Sequence, residues 1–444
     1  MAARRRNSIV LRRQVSDGLR SPKTGRAPRT LSRMARLSLL APFRIRSYRF
    51  QWPADLVTSW AFEMETLILG WYVLVETNSV VLLTVFGALL YGGTLIAPMM
   101  GVVSDRIGHR NLLSGMRACY AVVAGALMVL AFAGLLNPIV VCGLAAITGL
   151  VRPSDMGLRG AVIADLMPPQ LLMPAMSVSR TTGDFARIAG ALTGAGLFAQ
   201  FGMGPAYVAI TTMYVLAAVL TWLTGAARSH ASALSAAAEV FSPWRDLREG
   251  IGYVWNTPSL LAIVWYAFLF NLTAFPITNG LLPYVAKEIY RIDQRGLGLL
   301  VASLACGALI GAIIITRSGG GMRLPRVMIV SAIIWHCVLL AFAQMRDTPG
   351  GVVFLLLAGI FQSLTMVCQT VILLNASGQR FRGRAMGVRM LAIYSLPLGL
   401  LAAGALIGRV GFHATATLYA VVGLVFTIVI ALRWRASLWR NEAL

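Results

Sequence analysis

The sequence has little charge, and most of that charge is positive. Charged residues make up 12% of the 444-residue chain, whereas hydrophobic residues make up 58%, and the mean hydropathy is +0.74. Soluble globular proteins carry about 25% charged residues, so this composition excludes a soluble fold. The length is sufficient for roughly a dozen membrane spans of about 20 residues each.

The sequence also lacks the motifs of enzymes, metal sites and secreted proteins. Its five cysteines lie in apolar runs without close spacing, which argues against a disulfide framework or a metal site. No nucleotide-binding loop, zinc-ligand spacing or nucleophile elbow is present. We therefore expect no cofactor, no metal and no enzymatic activity, and an ion gradient rather than ATP as the energy source. We also expect no cleavable signal peptide.

The positive charge is concentrated at the amino terminus. The formal net charge is +23, and Asp17 is the only acidic residue among the first fifty, which contain fourteen basic ones. A basic tail ahead of a membrane span indicates a cytoplasmic segment that contacts anionic lipid. No aromatic residue interrupts the first forty residues, so we expect no nucleic-acid partner.

Apolar runs predict twelve spans: 52–75, 80–103, 111–134, 138–162, 177–200, 205–226, 258–284, 297–316, 326–345, 350–375, 386–408 and 412–433. Basic residues lie mainly in the loops on the same side as the tail, so both termini are predicted to be cytoplasmic, in the inner membrane. The stretch between the sixth and seventh spans contains an amphipathic segment with Trp244, Leu247, Ile251 and Val254 at helical spacing.

These features predict an all-α polytopic membrane protein with twelve transmembrane helices in two six-helix bundles. The predicted divisions are a basic tail (1–49), an amino-terminal bundle (50–227), an amphipathic connector (228–257), a carboxy-terminal bundle (258–435) and a short cytoplasmic tail (436–444). We expect the chain to act as a monomer in the lipid bilayer.

Carboxyl groups in the first span are the strongest candidates for functional residues. An ionisable side chain within the bilayer usually lines a transport pathway or pairs with an opposite charge. At 100° per residue, a polar stripe forms within an arc of about 80°. Glu63 is near mid-depth on this stripe and is the predicted proton carrier, since a carboxyl in a low-dielectric cleft can exchange protons near neutral pH. Alternatively, the Glu63 carboxylate is permanently paired with an Arg and serves only the assembly of the helices. The stripe consists of Asp55, Ser59, Glu63, Thr66 and Gly70. The predicted proton-coupling residues are Glu63, Asp55 and Glu65, of which Glu65 lies off the stripe.

Two further spans carry Arg and Asp on one helical face each. The fourth contains Arg152, Asp155 and Arg159, and the fifth contains Arg180, Asp184 and Arg187. If these spans are antiparallel neighbours, Arg152 lies level with Arg187. The excess of four Arg over two Asp could neutralise the first-span glutamates or receive an anionic substrate. The predicted substrate-binding residues of these spans are therefore Arg152, Arg187 and Asp155. A structural role is predicted for Arg159 and Arg180, which lie near the membrane interface.

The second half offers aromatic and amide side chains in place of charges. Aromatics with a few amides suit an amphipathic ligand, although hydrogen bonding between helices is an equal alternative. The predicted substrate contacts here are Asn271, Phe275 and Asn279 in the seventh span and Gln362 and Gln369 in the tenth.

One hydrophilic turn lies between the second and third spans. It runs from Gly101 through Asp105, Arg106 and Gly108 to Arg110. This G-x-x-x-D-R-x-G-x-R spacing resembles the signature between the second and third helices of the major facilitator superfamily. The resemblance implies the major facilitator fold. It also implies that Asp105 contacts the start of the eleventh span, and that Arg106 or Arg110 contacts an acid such as Asp165, as a conformational latch.

Other segments resemble the branch of that superfamily that includes the enterobactin exporter and the transmembrane secretion effectors. They include residues 59–63, 69–74, 187–190 and 382–386, although Phe62 replaces a small residue of that branch. The expected function is proton-driven export, by alternating access, of a small amphipathic, anionic molecule such as a siderophore-like metabolite or a drug. The alternatives are a proton-coupled uptake symporter and a non-transporting membrane receptor or scaffold.

Overall fold

The computed structural model describes residues 41–225, 243–317, 323–377 and 382–439. Within these ranges the chain is helical apart from short connections, and no strand occurs. Most of the predicted basic tail, the first part of the predicted connector and the last residues of the chain lie outside the described residues.

The first half contains six spans, which we number in chain order. The second span is not continuous, because the segment between Leu90 and Ile96 turns through a 3-10 helix. There the second and fourth spans approach closely, and a Cβ added to Gly93 would lie 2.0 Å from the Leu150 carbonyl oxygen. The helices of the first half are Arg46–Thr77, Val80–Leu89 with Ala97–Ile107, His109–Phe132, Pro138–Leu166, Pro169–Phe201 and Met203–Leu223.

The second half contains six more spans. The seventh span passes from an α-helix into a π-helical turn at Pro276, as expected where proline removes a backbone donor. The last two spans meet without a loop at Gly411, which has φ +82°. The helices are Pro258–Phe275 continuing to Ile289, Gln294–Arg317, Leu324–Phe342, Thr348–Ala376, Arg382–Leu391 continuing to Gly411, and from there to Arg433.

Length and apolar composition alone identify eight of the described helices as able to cross a membrane. One of these, Met386–Arg433, is two spans joined at Gly411. The first and fifth spans carry too much charge for this criterion, and the second span is broken. The twelve predicted spans are therefore all present among the described residues, and the all-α, two-bundle fold is confirmed.

Successive spans alternate in direction. We call the side on which Arg46 lies the tail side and the opposite side the far side. The first span packs along the fifth and sixth, and the third packs along the sixth. In the second half the tenth span packs along the eighth and ninth, and the seventh packs along the last two.

The fourth and fifth spans are not the antiparallel neighbours that the sequence suggested. The fifth packs along the first and eighth spans and meets the fourth near their shared turn, where Gly160 approaches Met176. The first span packs against both of them, and Gly190 and Gly194 of the fifth span lie against the segment from Trp60 to Met64. The condition under which Arg152 would lie level with Arg187 is therefore not met.

The halves contact each other mainly through two pairs of spans, the fifth with the eighth and the second with the eleventh, and the first span also touches the end of the seventh. Small residues make these approaches possible. A Cβ on Gly298 would lie 2.6 Å from the Ala195 Cβ, and one on Gly404 would lie 2.1 Å from the Thr84 hydroxyl oxygen. The two bundles therefore meet along helix faces that carry almost no side-chain bulk.

Candidate functional site

The polar stripe of the first span faces arginines of the fourth span. Arg159 donates a hydrogen bond to the Ser59 hydroxyl and lies 4.0 Å from the Asp55 carboxylate. About two helical turns further along, Arg152 donates to the Thr66 hydroxyl at 2.9 Å. Asp55, Ser59 and Thr66, which share one helical face, therefore lie against arginines of the fourth span.

Glu63 lies near the middle of the 32-residue first helix and pairs with the fifth span instead. Its carboxylate oxygen is 3.5 Å from the Arg187 Nε, and the two side chains are 25% and 36% exposed. Gly190 permits this approach, since a Cβ there would lie 2.7 Å from the Glu63 Cβ. The pair is thus reachable by solvent or ligand, unlike the other predicted carboxyl groups of this span.

Glu65 points to the other side of the first helix and is buried. It accepts a hydrogen bond of 2.7 Å from the Tyr214 hydroxyl in the sixth span. Tyr214 packs at 5.6 Å from the ring of Phe62, and the Arg152 guanidinium lies 4.6 Å above that same ring. Phe62 therefore connects the environment of Glu65 to Arg152 through aromatic packing and a cation–π contact.

A buried arginine that the sequence analysis overlooked organises the charges nearest the tail side. Arg117 of the third span is 0% exposed and hydrogen-bonds to the Asp55 carboxylate and the Thr221 hydroxyl. Its Nε lies 4.0 Å from Asp155, which in turn pairs with Arg159. The signal was available in the sequence, because Arg117 is the seventh residue of the predicted span 111–134 and is as conspicuous as the arginines that were noted.

Arg117 changes the charge balance of the first half. Away from the helix ends, its spans carry five carboxyl groups and five guanidinium groups, so the excess of arginine in the fourth and fifth spans is offset by the carboxyl groups of the first span. The described ion pairs account for most of them, including Arg180 with Asp184 at 3.7 Å. The carboxyls are Asp55, Glu63, Glu65, Asp155 and Asp184, and the guanidiniums are Arg117, Arg152, Arg159, Arg180 and Arg187.

A small cavity lies between the two halves beside this charged region. Thr66, Gly70 and Tyr91 of the first half and Asn279 and Leu400 of the second contribute to its wall. Gly70, the last member of the polar stripe, thus reaches the boundary of the two bundles. Its lining is mainly apolar with a few polar groups, which is the character of small-molecule sites.

The predicted contacts of the second half divide between this cavity and the helix packing. Asn279 lines the cavity, whereas Asn271 donates to the Ala267 carbonyl of its own helix. Gln369 donates to the Ile263 carbonyl of the seventh span at 2.9 Å. For Asn271 and Gln369 the described contacts are those of the packing alternative.

Phe275 and Gln362 also lie inside the packing of the second half. The Phe275 ring lies edge-on at 5.6 Å from Trp335 of the ninth span. Gln362 is 7% exposed in the tenth span. A substrate role for either residue stays a prediction.

The hydrophilic turn joins the second and third spans through Gly108, whose φ of +87° favours glycine. Arg106 is exposed, and Arg110 donates to the neighbouring Asn111 side chain. Asp165 at the end of the fourth span lies 2.7 Å from His109, a residue that the sequence analysis did not select. The conformational latch of Gly101, Asp105, Arg106, Gly108, Arg110 and Asp165 stays a prediction.

Twelve helices in two bundles, with buried ion pairs and a cavity at their boundary, define a membrane transporter of the two-bundle class. The sequence profile described as Major Facilitator Superfamily matches residues 56–397. The chain therefore belongs to the major facilitator superfamily. The enterobactin-exporter branch is not established by this match.

Solved transporters share the fold at low sequence identity. The POT family transporter PepTSo matches with a TM-score of 0.69 and 14% identity over 90% of this chain and 99% of that chain. The nucleoside transporter NupG matches with a TM-score of 0.65 and 14% identity over 88% and 98%. A bacterial homolog of the human lysosomal transporter Spinster gives 0.61 and 14% over 88% and 95%. No curated protein sequence matches the chain.

Proposed function

We propose that this chain is a proton-coupled transporter of a small amphipathic molecule that carries one anionic group. The observation that carries the proposal is the partly exposed ion pair of Glu63 and Arg187, 3.5 Å apart near the middle of the first span. Protonation of Glu63 would release Arg187, whose guanidinium can then bind a carboxylate, sulfonate or phosphate of the substrate.

The charge balance supports proton coupling by this pair. With equal numbers of acids and arginines in the spans of the first half, an added anion leaves an uncompensated negative charge in a region of low dielectric. Binding of a proton at Glu63 restores the balance. The anion and the proton are therefore expected to occupy the site together.

Glu63 suits this role better than the other two carboxyl groups in the predicted set. Asp55 is held by Arg117 and lies close to Arg159, and Glu65 is buried under Tyr214. Removing such buried partners would break several interactions at once. Glu63 has one described partner and partial access to solvent.

The apolar part of the substrate has a matching surface in the cavity between the halves. The cavity is lined by apolar and aromatic residues, among them Gly70, Leu400 and Tyr91, and by the side-chain amide of Asn279. Alternating access would open this space first to one side of the membrane and then to the other. In this arrangement the anionic head binds at the first half while the apolar part bridges both halves.

The joint occupancy of anion and proton favours symport, so uptake along an inward proton gradient is the direction that this mechanism supports. Export by antiport is the second candidate, and it rests on the resemblance of segments such as residues 187–190 and 382–386 to exporters. An antiporter must bind substrate while Glu63 is ionised, which favours a cationic or zwitterionic substrate.

Comparison of a deletion strain with its parent tests the proposal, with metabolites measured inside the cells and in the medium. Symport predicts that an anionic amphipathic compound disappears from the medium of the parent and stays in that of the deletion strain. Export predicts a compound that only the parent releases. Identical profiles in both fractions under conditions where the protein is produced would contradict a transport function for such metabolites.

A further inference from the structure

The connector helix Pro243–Asn256 has three distinct faces in its second half. Gly250 and Val254 are buried against the protein. Glu249 and Asn256 are exposed and lie on the opposite side of the helix by the 100° step. Between these two faces lies a third, which is exposed but apolar at its centre. We call it the outward face, and it consists of Arg248, Ile251 and Trp255.

The outward face differs from the amphipathic pattern suggested by the sequence. Val254 and Ile251 were expected on one apolar face, but Val254 is 2% exposed and Ile251 is 41% exposed. Trp255 is 65% exposed. By the helical step, Arg248, Ile251 and Trp255 fall within an arc of about 60°. A tryptophan, an isoleucine and an arginine thus share one exposed stripe.

The position of this stripe along the chain places it near the tail-side surface of the bilayer. Trp255 precedes the first residue of the seventh span, Pro258, by three residues, and the extended Thr257 separates the two helices. Three residues span at most about 11 Å, so Trp255 lies close to the tail-side end of this span, where the lipid headgroups begin. Tryptophan prefers this level, since its ring is apolar and its N–H is polar.

We propose that the outward face binds the surface of the tail-side leaflet, with Trp255 and Ile251 inserted at the boundary of the acyl chains and Arg248 bound to anionic lipid headgroups. The charge of the surrounding surface supports anionic rather than neutral lipid. Further arginines lie at the tail-side ends of the helices, among them Arg317, Arg323, Arg326 and Arg433.

The connector can transmit this contact to the boundary of the two halves. It packs along Arg382–Leu391, the tail-side segment of the eleventh span, and Val254 and Val388 belong to the same buried core. The same span continues to Leu400 and Gly404, which touch the second span of the other half. Lipid bound to the connector therefore holds the tail-side end of a span that must move during transport.

Two neighbouring positions provide a matched test. Trp255 and Asn256 are both exposed and are adjacent in the chain, but only Trp255 belongs to the outward face. Each is replaced by cysteine, as Trp255→Cys or Asn256→Cys, in the full chain with its five native cysteines replaced. An environment-sensitive fluorophore is attached, and the protein is reconstituted in phosphatidylcholine liposomes with or without phosphatidylglycerol.

The label at position 255 should be quenched by brominated lipid and shielded from acrylamide, a neutral quencher in the aqueous phase, whereas the label at position 256 should show the reverse. Equal acrylamide access at both positions would overturn insertion of the outward face. Phosphatidylglycerol should lower the acrylamide access at position 255 by up to about fivefold, which is the effect of one arginine near an anionic surface. Arg248→Gln should remove that difference, and a lipid dependence unchanged by Arg248→Gln would overturn headgroup binding at this residue.

Hydrogen exchange tests the link to the eleventh span in the unlabelled protein. Amides of Arg382–Leu391 should exchange more slowly in liposomes that contain phosphatidylglycerol than in neutral ones, and Arg248→Gln should abolish the slowing. Exchange that is the same in both lipids would overturn the link. These readouts need no substrate and no proton gradient, so they stand or fall independently of the transport mechanism.

Discussion

Arg117 of the third span hydrogen-bonds to Asp55 of the first, and neither side chain is appreciably exposed to solvent. The same Asp55 carboxylate accepts a hydrogen bond of 2.8 Å from Gln51 and lies 4.0 Å from Arg159. A charge that is this deeply enclosed has to be matched, because an unpaired charge in the interior is strongly destabilising. The pair therefore holds the first and third spans in register.

Replacement of Arg117 by leucine tests this structural role. Arg117→Leu leaves Asp55 without its main counter-charge and should destabilise the protein by about 3–5 kcal/mol. Thermal unfolding in detergent measures the effect. The double variant Arg117→Leu/Asp55→Leu should recover much of the loss, and Arg110→Leu on the tail-side turn should have little effect. A double variant as unstable as the single one would contradict charge pairing as the cause.

Glycines of the fifth span provide a test of its close approach to the first. Gly190→Ala places a methyl group 2.7 Å from the Glu63 Cβ and 2.9 Å from the Trp60 carbonyl oxygen. The helices must separate, so transport should fall at least tenfold while the protein still inserts. Gly196→Ala meets nothing within 4 Å and is the matched control. Equal transport by the two variants, measured in liposomes, would show that the approach is not needed.

Arg152 should contribute to affinity for anionic ligands. It donates to Thr66 and lies over the Phe62 ring, so its guanidinium is held beside the stripe that leads to the cavity. Arg152→Ala should weaken binding of an anionic substrate by about 1.5–3 kcal/mol, or roughly ten- to a hundredfold. A neutral analogue should lose much less. Binding measured by calorimetry distinguishes the cases, and equal losses for both ligands would assign Arg152 a structural role.

Lys287 connects the two halves on the far side. Its Nζ donates to the Asn78 side chain, and it lies 3.4 Å from the Leu74 carbonyl oxygen, both at the end of the first span. Lys287→Met should shift the equilibrium towards the far-side-open state by about fivefold, since roughly 1 kcal/mol of hydrogen bonding is lost.

Spin labels at Glu76 and Arg291 report this shift as a longer distance between them. Both positions are exposed on the far side. Arg295→Met removes a nearby exposed charge and should leave the distances unchanged. A distance distribution that is the same in Lys287→Met and in the parent would show that the contact does not stabilise the closed far side.

The fold could be predicted from the sequence because its determinants are local. Runs of apolar residues predicted the spans, and the amphipathic connector between the sixth and seventh spans predicted their division into two bundles. The helical step placed Asp55, Ser59 and Thr66 on one stripe, and the structure places arginines of the fourth span against that stripe. Hydrophobicity and helix geometry sufficed for these features.

The ion-pair partners of the charged side chains could not be predicted in the same way, since these pairs depend on which helices are neighbours. The fifth span packs along the first, so Arg187 meets Glu63 rather than the fourth span. Arg117 was missed because it stands alone in its span, whereas attention went to spans with several charges. With Arg117 counted, the five arginines in the spans of the first half equal its five carboxyl groups, so the predicted surplus of the fourth and fifth spans is offset by the carboxyl groups of the first span.

Glu63→Gln tests the central claim most directly, by measuring the binding of the transported molecule to the purified protein from acidic to alkaline pH. If protonation of Glu63 releases Arg187, the parent should bind the anion more tightly as the pH falls, and Glu63→Gln should bind it tightly at every pH. Glu76→Gln, at an exposed position on the same helix, should behave like the parent. A pH dependence that persists unchanged in Glu63→Gln would contradict the mechanism.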